Sequence, residues 1–170
     1  MRQAMSLMLA ALVAVVCQVS AAGAQPAPRQ IRLTEKQVLA FIAAQPDMSK
    51  AVQKMQGLAA DKPPPKFQAE IEAVAKKHGF KDSKEYDEVV ANITMVMTGI
   101  DPQTKEFTEP AILLKKEIEA VTADTSIPES EKKQFLEELS EALKAAVPVQ
   151  FPSNIELVRK HFDRLDAALN

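Results

Sequence analysis

The window "KKHGFKDSKEYDEVV", residues 76 to 90, sets His78 close to Asp82, Glu85 and Tyr86. An imidazole among carboxylates can relay a proton or hold a metal ion. The spacing points instead to a joint between two helices. Gly79 suits the left-handed position after a helix, and Phe80 suits the apolar contact just beyond it. Asp82 and Glu85 are three apart, as in a capping box that opens the next helix. His78 then falls in a last helical turn, where an imidazole meets exposed carbonyls and the negative end of the helix.

The second histidine, His161, sits in "RKHFDRLD", whose charged neighbours mark a solvated helix residue. An enzyme or a metal-binding protein would need His78 or His161 to meet nearby carboxylates in a pocket. There is no HExxH pair, and Cys17 is the only cysteine. The serines stand at expected helix starts, and no GxSxG occurs. The stretch "DPQTKE", from Asp101, begins like a calcium loop but lacks the alternating oxygen ligands and the central glycine. Glu137 and Glu141 share one helix face on a lysine-rich helix, an ordinary surface arrangement. The triplet "NIT" at 92 to 94 matches a glycosylation acceptor but lies within an apolar helical stripe. No catalytic residues, metal ligands or cofactor are therefore expected.

Noncovalent binding is the stronger expectation. Methionines fill irregular cores and also line adaptable grooves. Met48, Met55, Met95 and Met97 lie within helical stripes, which favours the core. The functional version is a groove holding an extended or helical partner segment. Its candidate residues are Met55, Met95 and Met97, with Phe151, which stands between prolines in "VPVQFPS", as a core plug or an exposed anchor.

These residues must be positioned by helices. Arg2, the apolar run "AMSLMLAALVAVV" and Ala22 and Ala24 before Gln25 form the pattern of a cleaved secretory signal peptide, residues 1–24. The run is too short for a comfortable membrane span. Residues 25–32 read as a flexible tether and residues 33–170 as one domain. Without Arg2 the count is 20 basic against 23 acidic residues, a net charge of −3, with no long basic run. That argues against a nucleic-acid partner, and no integral membrane segment is expected once the signal is removed.

Apolar residues recur at spacings of three and four along the domain, while alternating strand patterns are scarce. Thr34 and Gln37 open a helix that Pro46 should end or sharply kink, with a second segment near Ser49–Ala59. Further stripes run through Phe67, Ile71 and Val74; Tyr86, Val89 and Ile93; Leu114, Ile118 and Val121; and Phe135, Leu139 and Leu143. Thr108, Ser126 and Ser153 are the expected caps of later helices, the last carrying Ile155, Val158, Phe162 and Leu165. The expected fold class is all-α: a compact orthogonal or up-and-down bundle of six to seven amphipathic helices.

"LTEKQ", residues 33 to 37, resembles the Leu-Thr-x-x-Gln motif of small helical periplasmic stress chaperones, over five residues and in one copy. The resemblance implies a chaperone-like alternative. The leading expectation is an exported protein, periplasmic or secreted and bacterial. It would act on a protein or peptide partner as an accessory module.

Overall fold

The computed structural model describes residues 29–54 and 65–169. Those residues are all-α, with seven helices: α1 Glu35–Gln53, α2 Pro65–Lys77, α3 Ser83–Met97, α4 Pro110–Ala123, α5 Glu129–Ala145, α6 Pro152–Lys160 and α7 Phe162–Leu169. None of these helices is long and apolar enough to cross a membrane.

Where local chemistry is strong, the helix ends follow it. The Thr34 hydroxyl accepts the Gln37 N–H while the Gln37 side chain accepts the Thr34 N–H, a complete capping box. Gly79 has φ +90°, and the Phe80 N–H returns to the Ala75 carbonyl, closing α2 with Phe80 buried. Asp82 caps α3 through the Glu85 N–H, but the return contact goes elsewhere. Glu85 accepts the Lys81 N–H and the Gln37 side-chain amide instead.

Other boundaries differ from the sequence expectation. Pro46 neither ends α1 nor separates two helices, because α1 runs through it to Gln53. Pro46 is exposed, and the helix continues past it at the cost of one backbone hydrogen bond. Thr108 and Ser126 do not cap. Glu109 and Pro128 take those positions without a side-chain hydrogen bond, and the Ser126 hydroxyl donates to Asp124. Ser153 lies inside α6, which starts on Pro152 after Phe151. The expected last helix is two helices, broken at His161.

The main core lies among α1, α2, α3, α6 and α7. Phe41, Val38, Val89, Ile93, Val96, Val158 and Leu165 are fully enclosed there. The Tyr86 ring stands edge-on to Phe80 at 5.3 Å and tilted to Phe41 at 6.0 Å, and the Gln45 amide donates to its hydroxyl. Helices α4 and α5 form a hairpin that packs chiefly on itself. Its buried residues, Val121 and Leu139, lie outside the main core cluster.

Between α3 and α4 the chain folds back at Ile100 and Phe107. The Asp101 carboxylate accepts the Gln103 and Thr104 N–H groups, so the stretch that began like a calcium loop spends its acid on its own turn. Lys105, at φ +58°, places its ammonium 3.8 Å from the centre of the Phe162 ring and pairs with Asp163 at 2.7 Å. This ties the loop to α7.

Candidate functional site

The most enclosed polar chemistry of the described residues surrounds the segment that leads into α1. Asn92 on α3 is 2% exposed and Asn154 on α6 is 1% exposed. Burial at that depth requires hydrogen-bond partners, and apart from the Glu88 carbonyl the partners are peptide groups of residues 29–33. Asn154 Oδ1 accepts the Leu33 N–H at 2.9 Å, and its Nδ2 donates to the Ile31 carbonyl at 2.8 Å. Asn92 Oδ1 accepts the Ile31 N–H at 3.0 Å, and its Nδ2 donates to the carbonyls of Arg29 and Glu88. Two asparagines on different helices thus read successive peptide groups of one non-helical segment.

The same segment also reads the link between α5 and α6. The Gln30 side chain donates to the Pro148 carbonyl at 2.9 Å and accepts the Gln150 N–H at 2.8 Å. The Arg32 guanidinium lies 5.7 Å from the centre of the Phe151 ring, a cation–π placement. Leu33 is buried in the main core and Ile31 packs against it. The part of the expected tether that is described, residues 29–32, therefore carries this set of contacts.

Among the residues read from the sequence as candidate binders, Phe151 flanks this segment, half-buried. Met95 lies one turn beyond Asn92 on α3. Met95 and Met97 are half-buried and pack against the main core. Met55 lies outside the described residues. Asn92 and Asn154 were missed as a pair. Asn92 figured only as a glycosylation triplet, and its amide nitrogen is occupied by two carbonyls. The available signal was an asparagine inside each of two apolar stripes.

Each histidine meets a carboxylate of α1. His78 Nε2 is 2.9 Å from Asp47 Oδ2, which also takes the Lys77 ammonium at 2.7 Å. Lys77 first, and His78 after it, hold the Asp47 carboxyl down to about 2. A carboxylate so acidic is a weak base at neutral pH. Asp47 lines a groove of about 300 Å³ with Lys50, Lys54, Glu70, Val74 and Lys77. Lys54 pairs with Glu70 across it. His161 is 9% exposed rather than solvated, because it occupies the break between α6 and α7 and turns inward. Its Nε2 is 3.0 Å from Glu35 Oε1, and Lys160 reaches the same oxygen at 2.7 Å. Lys160, then His161, lower the Glu35 carboxyl. Both arrangements are Lys-His pairs clamped on one acid. Among the described residues no group of three metal-ligating side chains comes together.

In this helical protein a non-helical segment of the chain is held between two helices through buried asparagines. Comparison of the chain with protein-family models, curated proteins and solved structures gives no match.

Proposed function

We propose that this protein is an exported helical module that acts by noncovalent binding to a protein partner. The single observation behind the reading is the α4–α5 hairpin. Only Val121 and Leu139 of its apolar stripe are buried, while Leu113, Leu114, Ile118, Phe135, Leu136 and Leu143 stay half-buried and Ile112 is 48% exposed. Two helices cannot enclose a stripe between themselves alone, and a partner helix would complete it.

In-cell cross-linking of the tagged protein in the exported fraction, read by mass spectrometry, tests this. One dominant partner joined through Lys115, Lys116, Lys132 or Lys144 supports an accessory module. Many unrelated clients would replace it with the chaperone-like alternative that the "LTEKQ" resemblance implies. No enrichment over a control carrying the signal alone overturns both.

A further inference from the structure

The cleft between α3 and α6 has the chemistry of a peptide-binding site, and residues 29–33 fill it as its resident occupant. We infer that this segment is an exchangeable strap, and that the cleft takes an extended segment of the partner when the strap lifts. The inference rests on the binding reading above and names the site and the form of the ligand.

The recognition is of backbone. Asn92 and Asn154 contact Arg29 O, Ile31 N, Ile31 O and Leu33 N, atoms that any extended peptide presents in the same register. Side-chain selection comes from alternate positions. Ile31 packs on the core and Leu33 is buried in it, while the intervening Arg32 faces Phe151 and solvent. The expected ligand is an extended segment with aliphatic side chains two residues apart and a long or cationic side chain between them. This is the division of labour of strand-addition recognition, with main-chain bonds supplying affinity and alternate pockets supplying specificity.

The cleft also cannot be left empty at low cost. Asn92 would keep its bond to the Glu88 carbonyl, but among the described residues the side-chain hydrogen bonds of Asn154 go to the strap. An empty cleft would leave that buried amide unpaired, which is strongly unfavourable. Exchange of one peptide for another avoids the penalty. A short segment outside any helix, held to its neighbours through side chains, belongs to the class of segment that opens without global unfolding. Joined to α1, it competes at an effective concentration of roughly millimolar, so the resting cleft is closed to dilute ligand.

Two measurements on the full chain test this. In native-state hydrogen exchange, the Ile31 and Leu33 amides should exchange at least 100-fold faster than those of Phe41 and Ile93. Equal rates would mean that the strap leaves only when the whole fold does, and would overturn the inference. In the second, a labelled peptide "RQIRLT" is titrated into the native chain and into Ile31→Ser, with Gln30→Ala as a second loosened variant should the first lose its helical circular dichroism. Binding should be at least tenfold tighter to the loosened chain and should fall at least tenfold when Asn154→Leu is added. Binding indifferent to Asn154→Leu, or no binding to either folded loosened variant, overturns it. Dimerisation of the loosened chain that free peptide reverses would replace the partner with a second copy. A partner captured only through the hairpin lysines leaves the binding function standing and removes the cleft from it.

Discussion

Asn154 holds Leu33 across 121 positions of sequence: its Oδ1 accepts the Leu33 N–H at 2.9 Å, with both residues buried. This bond sets where α1 begins relative to α6, one residue before the Thr34 cap. Asn154→Ala should leave the Leu33 N–H and the Ile31 carbonyl without their partner, at a cost of about 1–3 kcal/mol. Urea unfolding followed by circular dichroism checks this. An unchanged midpoint would show that water replaces the amide.

Gly79 and Gly99 should both resist alanine, for different reasons. At Gly79 the added Cβ meets nothing within 4 Å, but φ is +90°, so the penalty is backbone strain of about 1 kcal/mol. At Gly99 the Cβ would stand 2.4 Å from Phe107 Cε2 and 2.7 Å from the Thr108 carbonyl oxygen. That overpacking should cost about 1–3 kcal/mol. Adding Phe107→Ala should recover part of the Gly99→Ala loss and none of the Gly79→Ala loss, measured as shifts in thermal midpoint.

Pro46 lies inside α1 with its side chain exposed. A helix-interior proline is disfavoured by about 3 kcal/mol relative to alanine. Part of that is offset by the freedom proline removes from the unfolded chain. Pro46→Ala should therefore raise the thermal midpoint. A drop would mean that the bend or the missing N–H at Pro46 is needed for α1 to reach α2.

Acid should loosen the contacts of α1 and α2. Asp47 is held at about 2 by Lys77 and His78, and Glu72 at about 2 by Lys76 and the Ser83 N–H. Both folded values lie below the ordinary carboxyl values of 3.8 and 4.5. Their contribution is thus fully present above about pH 4.5 and lost as pH falls toward about 2. Urea midpoints measured from pH 6 down to pH 2, on buffers of that range, should fall. Asp47→Asn should flatten the slope, and a slope unchanged in that variant would remove Asp47 from the acid response.

The hairpin should behave as its own cooperative unit. Leu139→Ala should speed amide exchange along α4 and α5 while leaving Phe41 and Ile93 protected, since Leu139 is absent from the main core cluster. Loss of protection throughout would show that the hairpin and the main core unfold together.

Much of the fold was legible locally. Thr34 with Gln37 and Gly79 with Phe80 carry their instructions within a few residues, and the stripe Tyr86, Val89, Ile93 repeats with the helical period. Local signals failed where a competing contact was stronger. Ser126 turned to Asp124 instead of capping α5, and Glu85 reached Lys81 and Gln37 instead of Asp82. The candidate site was legible only at Phe151, because the chemistry of an asparagine depends on what lies opposite it.

By itself, the sequence determined the all-α class, the stripes and the helix ends at Thr34, Gly79 and Asp82, because helix periodicity and capping are encoded over spans of three to seven residues. Only the tertiary structure decided that Asn92 and Asn154 face one segment, that His161 turns inward to Glu35, and that α4 and α5 pack apart from the main core. Each of those depends on groups far apart in the chain. Their energy appears only once the intervening helices have packed, and no local pattern records which buried polar group will meet which.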